Sequence, residues 1–276
     1  MEPHNTHHEH HPEMHQPPIE QPMTNMSPKK SFFETYQIFF AIIIVGVLVL
    51  IGILIAHFVP NNNSNSSANS EKQETQSDVR NDFIKIAKKE GLNTKSFGTC
   101  LDNQTNQTLI ANDVALAQAS GVQGTPTFFV LKRTFNADGS VKNVSQFEVL
   151  GAVDEATFES AITSGKSPAN QPTQPAGKKI VLVSSDHFEG PTNAATVIVE
   201  YADLDCPFCK AEYPVIQDIL KNNPGYALVF RQAPIVQLHP WAEYTAEGSE
   251  CAFDQGGDPA FWKFLGDTMG APQTQN

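Results

Sequence analysis

The sequence predicts an α/β domain set behind one membrane-spanning helix, and three observations carry that expectation. A charge-free apolar run, IFFAIIIVGVLVLIGILIA, occupies 38–56. Between 79 and 165, runs at helical spacing give way to a pair of β-rich runs. Between 179 and 276 the order is strand, helix, strand and a further helical stretch. Each half alone has too few strands to bury a sheet, so the two are expected to share one.

The chain opens on a tail, 1–36, that holds His4, His7, His8, His10, His11 and His15. Such a tract binds transition metals weakly, but its Pro, Gln, Asn and Glu leave nothing to pack, so it reads as a disordered cytoplasmic tail with no assigned site. The span at 37–59 has the length to cross a hydrocarbon core as a helix. A buried core helix seldom stays apolar on every face for so long. A cleaved signal peptide fits less well, because a long polar segment precedes the run, the run exceeds an ordinary h-region, and no A-x-A site follows. Lys29 and Lys30 sit just before the span and the next cation after it is Lys72. That asymmetry predicts a single-pass signal anchor in the cell membrane, N-terminus cytoplasmic and the remainder extracytoplasmic. Residues 60–78, rich in Asn, Ser and Gln, form a polar tether.

The folded part is expected over 79–165 and 179–276, joined by the linker 166–178. DFIKIAKKEGL places Phe83, Ile84, Ile86 and Ala87 at helical spacing with Gly91 as the stop. KSFGTCLDN and LIANDVALAQASG suggest further helices. GVQGTPTFFVLKR reads as a turn and a strand, ADGS as a hairpin turn before QFEVLG, and VDEATFESAITSG as a helix led by Asp154 and Glu155. In the second half KKIVLV and TVIVEYAD read as strands, CPFCKAEYPVIQDILKNNPG as a helix, YALVFRQAP as a strand, and a helix begins near HPWAEYTAEGSECAF.

Composition narrows the function. With 30 acidic against 18 basic residues, nucleic acid is not an expected partner. Four cysteines in 276 residues cannot be the main framework of a disulfide-dense miniprotein, so each is read for chemistry or as a local staple. The chemistry lies at Cys206-Pro207-Phe208-Cys209, where a strand runs into a helix. A helix N-terminus stabilises a thiolate through its unpaired N–H groups, which makes Cys206 the nucleophile and leaves Cys209, one turn on, to resolve a mixed disulfide. Half of a zinc site has the same spacing, but no second C-x-x-C accompanies it, and no metal is assigned. An inert structural disulfide is the other alternative.

VIVEYADLDCPFCKAEYPVIQDIL resembles the active-site segment of DsbA-like, thioredoxin-fold thiol-disulfide oxidoreductases, and GVQGTPTFFV resembles the segment that carries their cis-proline. His239-Pro240, SECAFDQG with a following FW, and IAKKEGLNTKSFGTCLDN extend the resemblance over 79–270. It implies a thioredoxin-like fold with a helical insertion. It also implies Cys206 as the attacking cysteine, Cys209 as the resolving one, Pro126 as the cis-proline, and Thr125 presenting backbone groups to a substrate's extended chain beside Pro207 and Phe208. Pro214 matches the family's helix kink, and Glu200 its buried acid, which would relay a proton to or from Cys209. A solvated strand-edge carboxylate is the alternative for Glu200. Some relatives bond cysteines at the places of Cys100 and Cys251, so the resemblance implies a structural disulfide there; two buried free thiols are the alternative.

The sequence departs from the family in order. Pro126 precedes Cys206, whereas the family's C-x-x-C half comes first. A circular permutation through the linker reconciles the two, with a domain-swapped dimer and a rearranged or truncated gene as alternatives. The expected activity is that of a membrane-tethered oxidase that introduces disulfides into exported cysteine-containing proteins. It would need no cofactor beyond the Cys206-Cys209 pair and would be recycled by a membrane redox partner. Phe208 stands where strongly oxidising members have His, so an isomerase or reductase is the alternative direction. A non-catalytic binding module on a membrane stalk is the alternative class.

Overall fold

The computed structural model describes residues 75–172 and 174–270. The chain divides into two units, 1–70 and 71–276, and everything below belongs to the second. The expected tail and membrane span, and most of the tether, lie outside the described residues. Among the described residues no helix is long and apolar enough to cross a membrane.

Helix α1 (Gln76–Lys89) starts inside the segment expected to be tether up to 78. The reason is a capping box: the Thr75 hydroxyl accepts the Asp78 N–H at 3.3 Å and the Asp78 carboxylate accepts the Thr75 N–H at 3.1 Å. Helix α2 (Thr94–Asn103) is capped by Asn93, whose side chain accepts from the N–H groups of Lys95 and Ser96, and α3 (Gln107–Ala119) follows. Strands β1 (Thr127–Phe135) and β2 (Val141–Leu150) form the expected hairpin, which turns at Gly139 with φ 84°. Helix α4 (Glu155–Ser164) has Asp154 as its N-cap and left-handed Gly165 as its C-cap.

KKIVLV, expected as a strand, is not one. Its backbone groups are satisfied singly: Lys178 N–H by the Ala119 carbonyl at 2.7 Å, Ile180 N–H by Gln146 Oε1 at 2.9 Å, and the Val181 carbonyl by Arg231 Nη2 at 2.7 Å. A segment whose bonds go to side chains and a helix end joins no ladder, whatever its β-rich composition. The short strand β3 (His187–Glu189) comes next, followed by β4 (Thr196–Ala202), α5 (Pro207–Asn222), β5 (Tyr226–Gln232) and α6 (Ala242–Met269). Helix α6 breaks at Gly257, with φ 65° and ψ −160°, two residues before Pro259.

The five strands form one sheet in the order β2-β1-β4-β5-β3. β1 pairs antiparallel with β2 and with β4, β4 runs parallel to β5, and β3 pairs antiparallel with β5. The sheet therefore closes across the two halves of one chain, as the strand count required. Alternation along β4 sorts its side chains onto two faces. Ile198 and Ala202 face a layer built by Phe158 and Ile162 of α4, Ile216 and Ile219 of α5, and Phe261 and Leu265 of α6. Val197, Val199 and Tyr201 face Ala117 of α3 and Ile180 of the extended segment. A third cluster joins α1, α2 and α6 through Phe83, Phe97, Leu101 and Phe264.

Candidate active site

The antiparallel register of β1 and β4 sets Thr127 opposite Tyr201, so the chain entering β1 lies beside the chain leaving β4. Thr125-Pro126 enters β1 through a cis peptide bond. The loop leaving β4 carries Cys206, and its Sγ lies 3.6 Å from the Thr125 carbonyl. Pairing across the sheet thus joins residues that stand far apart in sequence. The loop is fixed by Asp203, which is buried. One of its oxygens accepts the Asp205 N–H at 2.8 Å, and the other accepts the Ile235 N–H and His239 Nδ1, each at 2.8 Å. The Asp203 carbonyl accepts the Cys206 N–H at 3.0 Å.

Cys206 is the N-cap of α5, with Pro207 in the first turn and Phe208 exposed beside it. Both thiols are free. The hydrogen bond from Cys209 holds the Cys206 thiol down to about 5; donation from Cys209 and Phe208 backbone groups adds to that, against a smaller opposing effect of burial. Cys209 is fully buried, and burial pushes its thiol far above the ordinary range, helped by its bond to Cys206 and by the Glu200 charge. The two sulfurs divide the labour: one is a thiolate at neutral pH and the other keeps its proton.

Glu200 sits on β4 between Phe128 of β1 and Phe230 of β5. It is fully buried and neither carboxyl oxygen has a hydrogen-bond partner. Burial, and then the charge of Glu212, raise it to about 8, so it is a neutral acid at pH 7. Its burial is what the resemblance implied, and the alternative of a solvated edge carboxylate is excluded.

Thr125, Pro126, Glu200, Cys206, Pro207, Phe208 and Cys209 thus meet in one place. Cys100 and Cys251 do not join them; they are bonded to each other, with Cα atoms 5.9 Å apart, and tie α2 to α6. Pro214 lies inside α5, where the resemblance placed it. Sequence reasoning missed Glu212, which accepts the Val153 N–H at 2.9 Å and is raised by burial to about 7. Its position three residues after Cys209, on the face that also carries Ile216, was the available signal. It also missed Asp203 as the anchor of the loop, and Asp205, which burial raises to about 6.

The family model described as Thioredoxin matches residues 45–147, less than half of the chain. With the sheet order above, this identifies the fold. The chain carries a thioredoxin-like domain. Among curated proteins it is similar to Na(+)/H(+) antiporter NhaA 3 of Salinispora tropica, 38% identical over 78 residues that make up 28% of this chain and 12% of that one. It is also similar to Na(+)/H(+) antiporter NhaA 1 of Mycolicibacterium vanbaalenii, 34% identical over 96 residues, 33% of this chain and 15% of that one. The matched stretch is thus a small fraction of these relatives' length. Among solved structures, a crystal structure of Pseudomonas aeruginosa DsbA2 is 36% identical over 31% of this chain and 47% of that chain, with a TM-score of 0.29. The C-x-x-C pair of this thioredoxin-like domain lies outside the stretch matched by the family model.

Proposed function

We propose that the chain is a thiol-disulfide oxidoreductase that works through Cys206 and Cys209, with the halves of its thioredoxin-like domain in permuted order. The observation that carries this reading is the asymmetry of the two sulfurs: Cys206 is held as a thiolate at a helix N-terminus by donation from Cys209, while Cys209 is buried and protonated. A substrate thiolate attacks Cys206 of the oxidised pair. Cys209 leaves, and Glu200, neutral at pH 7 and close enough for its charge to act on Cys209, protonates it. A second substrate thiol then attacks the mixed disulfide and releases oxidised substrate together with the enzyme dithiol.

The direction proposed is oxidation of exported cysteine-containing proteins, at a membrane to which residues 37–59 hold the domain, with a membrane redox partner to restore the disulfide. No cofactor beyond the cysteine pair enters this scheme. In a thiol-disulfide exchange assay Cys206→Ser should abolish activity, and Cys209→Ser should accumulate mixed disulfides, because the Cys206 thiolate still attacks a substrate disulfide and no Cys209 thiol remains to displace the bound substrate. Wild-type activity in both variants would refute an enzyme that works through Cys206 and Cys209.

A further inference from the structure

We propose that His187 is a pH-sensitive clamp: its imidazolium ties both segments of α6 to the edge of the sheet, and loss of one proton to solvent loosens the second segment. His187 opens the edge strand β3, stands opposite Phe230 of β5 and is buried. Its ring stacks on Phe261, with centroids 4.0 Å apart and planes at 19°, and meets Phe253 edge-on at 4.4 Å. Packed between those rings it has little room to turn, so the direction of each ring nitrogen is fixed.

Both nitrogens face carboxylates. Nε2 is 3.1 Å from Glu250 Oε2, and Nδ1 is 3.1 Å from Asp258 Oδ1. A neutral imidazole has one N–H and one lone pair, so it donates to one carboxylate and turns its lone pair on the other. The imidazolium donates to both. Glu250 and Asp258 lie on either side of the break at Gly257. The proton that completes the second bond therefore joins 258–269 to the strand that already holds the first segment.

Which bond is lost follows from burial. The Glu250 side chain is 3% exposed and its other oxygen accepts Gln232 Nε2 at 3.0 Å, whereas the Asp258 side chain is 41% exposed. A buried carboxylate without its donor costs more than one that water reaches, so the neutral ring keeps its N–H on Glu250 and releases Asp258. Burial alone would push the imidazole below its ordinary 6.5, but the bonds and charges of Glu250 and then Asp258 outweigh it and hold the group above that value. Two further acids line the same cavity of about 300 Å³, Asp113 of α3 and Asp186. Burial raises Asp113 to about 7, so it gains charge as pH rises and favours the proton on the ring; Asp186 is matched by Arg231 at 2.8 Å. A raised base contributes fully below its unfolded value and loses its contribution as pH rises through the folded one. The clamp is closed in acid and opens above pH 6.5.

The clamp does not rest on the thiol chemistry proposed above, and its test reads no activity. In the full chain, deuterium exchange at the imidazole C2–H, followed by mass spectrometry on the peptide that contains His187, separates this ring from the other histidines. Its midpoint should lie above 6.5. Amide exchange over 258–269, corrected for the intrinsic rate at each pH, is then compared with that of Asp258→Asn, which removes the charge and keeps a residue suited to a helix start. At pH 6 the wild type should be at least about tenfold better protected there, the worth of one charge-assisted hydrogen bond, and the two proteins should converge in alkali, since every other acid titrates in both. A ring that titrates below 6.5, equal protection at pH 6, or a difference that persists undiminished into alkali would each overturn the proposal.

Discussion

Glu200→Gln tests the buried acid by its effect on stability, where sign and size both follow from the structure. The folded carboxyl titrates at about 8 against an ordinary value of 4.5. A raised carboxyl binds its proton more tightly in the folded chain, so its stabilising contribution is complete below about 4.5 and is lost as pH rises toward 8. The loss is about 3 kcal/mol at pH 7 and about 5 kcal/mol above pH 8, at 1.36 kcal/mol per unit. Glu200 is fully buried, so solvent screening does not reduce these figures. Glutamine keeps the shape and cannot ionise. The variant should therefore match wild type near pH 4.5, exceed it by about 3 kcal/mol at pH 7 and by more at pH 8.5, as read from urea titrations at each pH. Disulfide exchange should move the other way. Below pH 8 the wild type has a proton to give the departing Cys209 sulfur and the variant does not, so the variant is slower at neutral pH and the two converge in alkali. A stability difference that does not vary with pH, or rates reduced equally at every pH, would mean that Glu200 fills space and carries no proton.

Three further outcomes are expected. Replacing Cys100 and Cys251 together by serine should lower stability by up to about 5 kcal/mol in urea titrations, because the bond closes a loop of 151 residues in the unfolded chain. A chain started at Ser77 should be about 1 kcal/mol less stable than one started at Thr75, because it lacks the capping box. Both should sediment as monomers, since β1 and β4 pair within one chain; an obligate dimer at micromolar concentration would favour a swapped arrangement.

Much of the fold was legible because its helices and strands carry their own periodicity and caps. The run from β4 into α5 reads directly from TVIVEYAD and the C-x-x-C that follows, and Asp154, Gly139 and Gly165 mark the turns and ends they occupy. KKIVLV misled because β-rich composition reports burial, and Ile180 is buried without belonging to the ladder. The reach of α1 back to Thr75 was hidden by the polar letters that build its cap. In the site, the cysteines and Pro126 were readable as motif. The Asp203 bonds to Ile235 and His239, and the approach of Glu212 to Glu200, were not, because they arise from chain segments that only the sheet and α5 bring together.

The proposed direction, oxidation, makes a quantitative demand on the cysteine pair. Holding Cys206 at about 5 instead of 9 stabilises the dithiol over the disulfide, because only the dithiol has a thiolate to stabilise. A lowered group contributes fully above its unfolded value and loses its contribution as pH falls through the folded one, so the reduced form gains steadily from pH 5 to pH 9. At pH 7 the full shift is worth about 3 kcal/mol, and solvent screening on the outer side of the sulfur leaves about half of that, which raises the potential by about 30 mV. The sharper test is the slope. With Cys206 ionised and Cys209 protonated, reduction takes up one proton for two electrons, and the potential should fall by about 30 mV per pH unit between pH 5 and pH 9. Below pH 5, where Cys206 also binds a proton, the slope should steepen to about 60 mV per unit. Equilibration against glutathione buffers across this range measures both limbs. A slope of about 60 mV through neutral pH would show Cys206 to be an ordinary thiol in the folded protein, and the case for an oxidising enzyme would lose its physical basis.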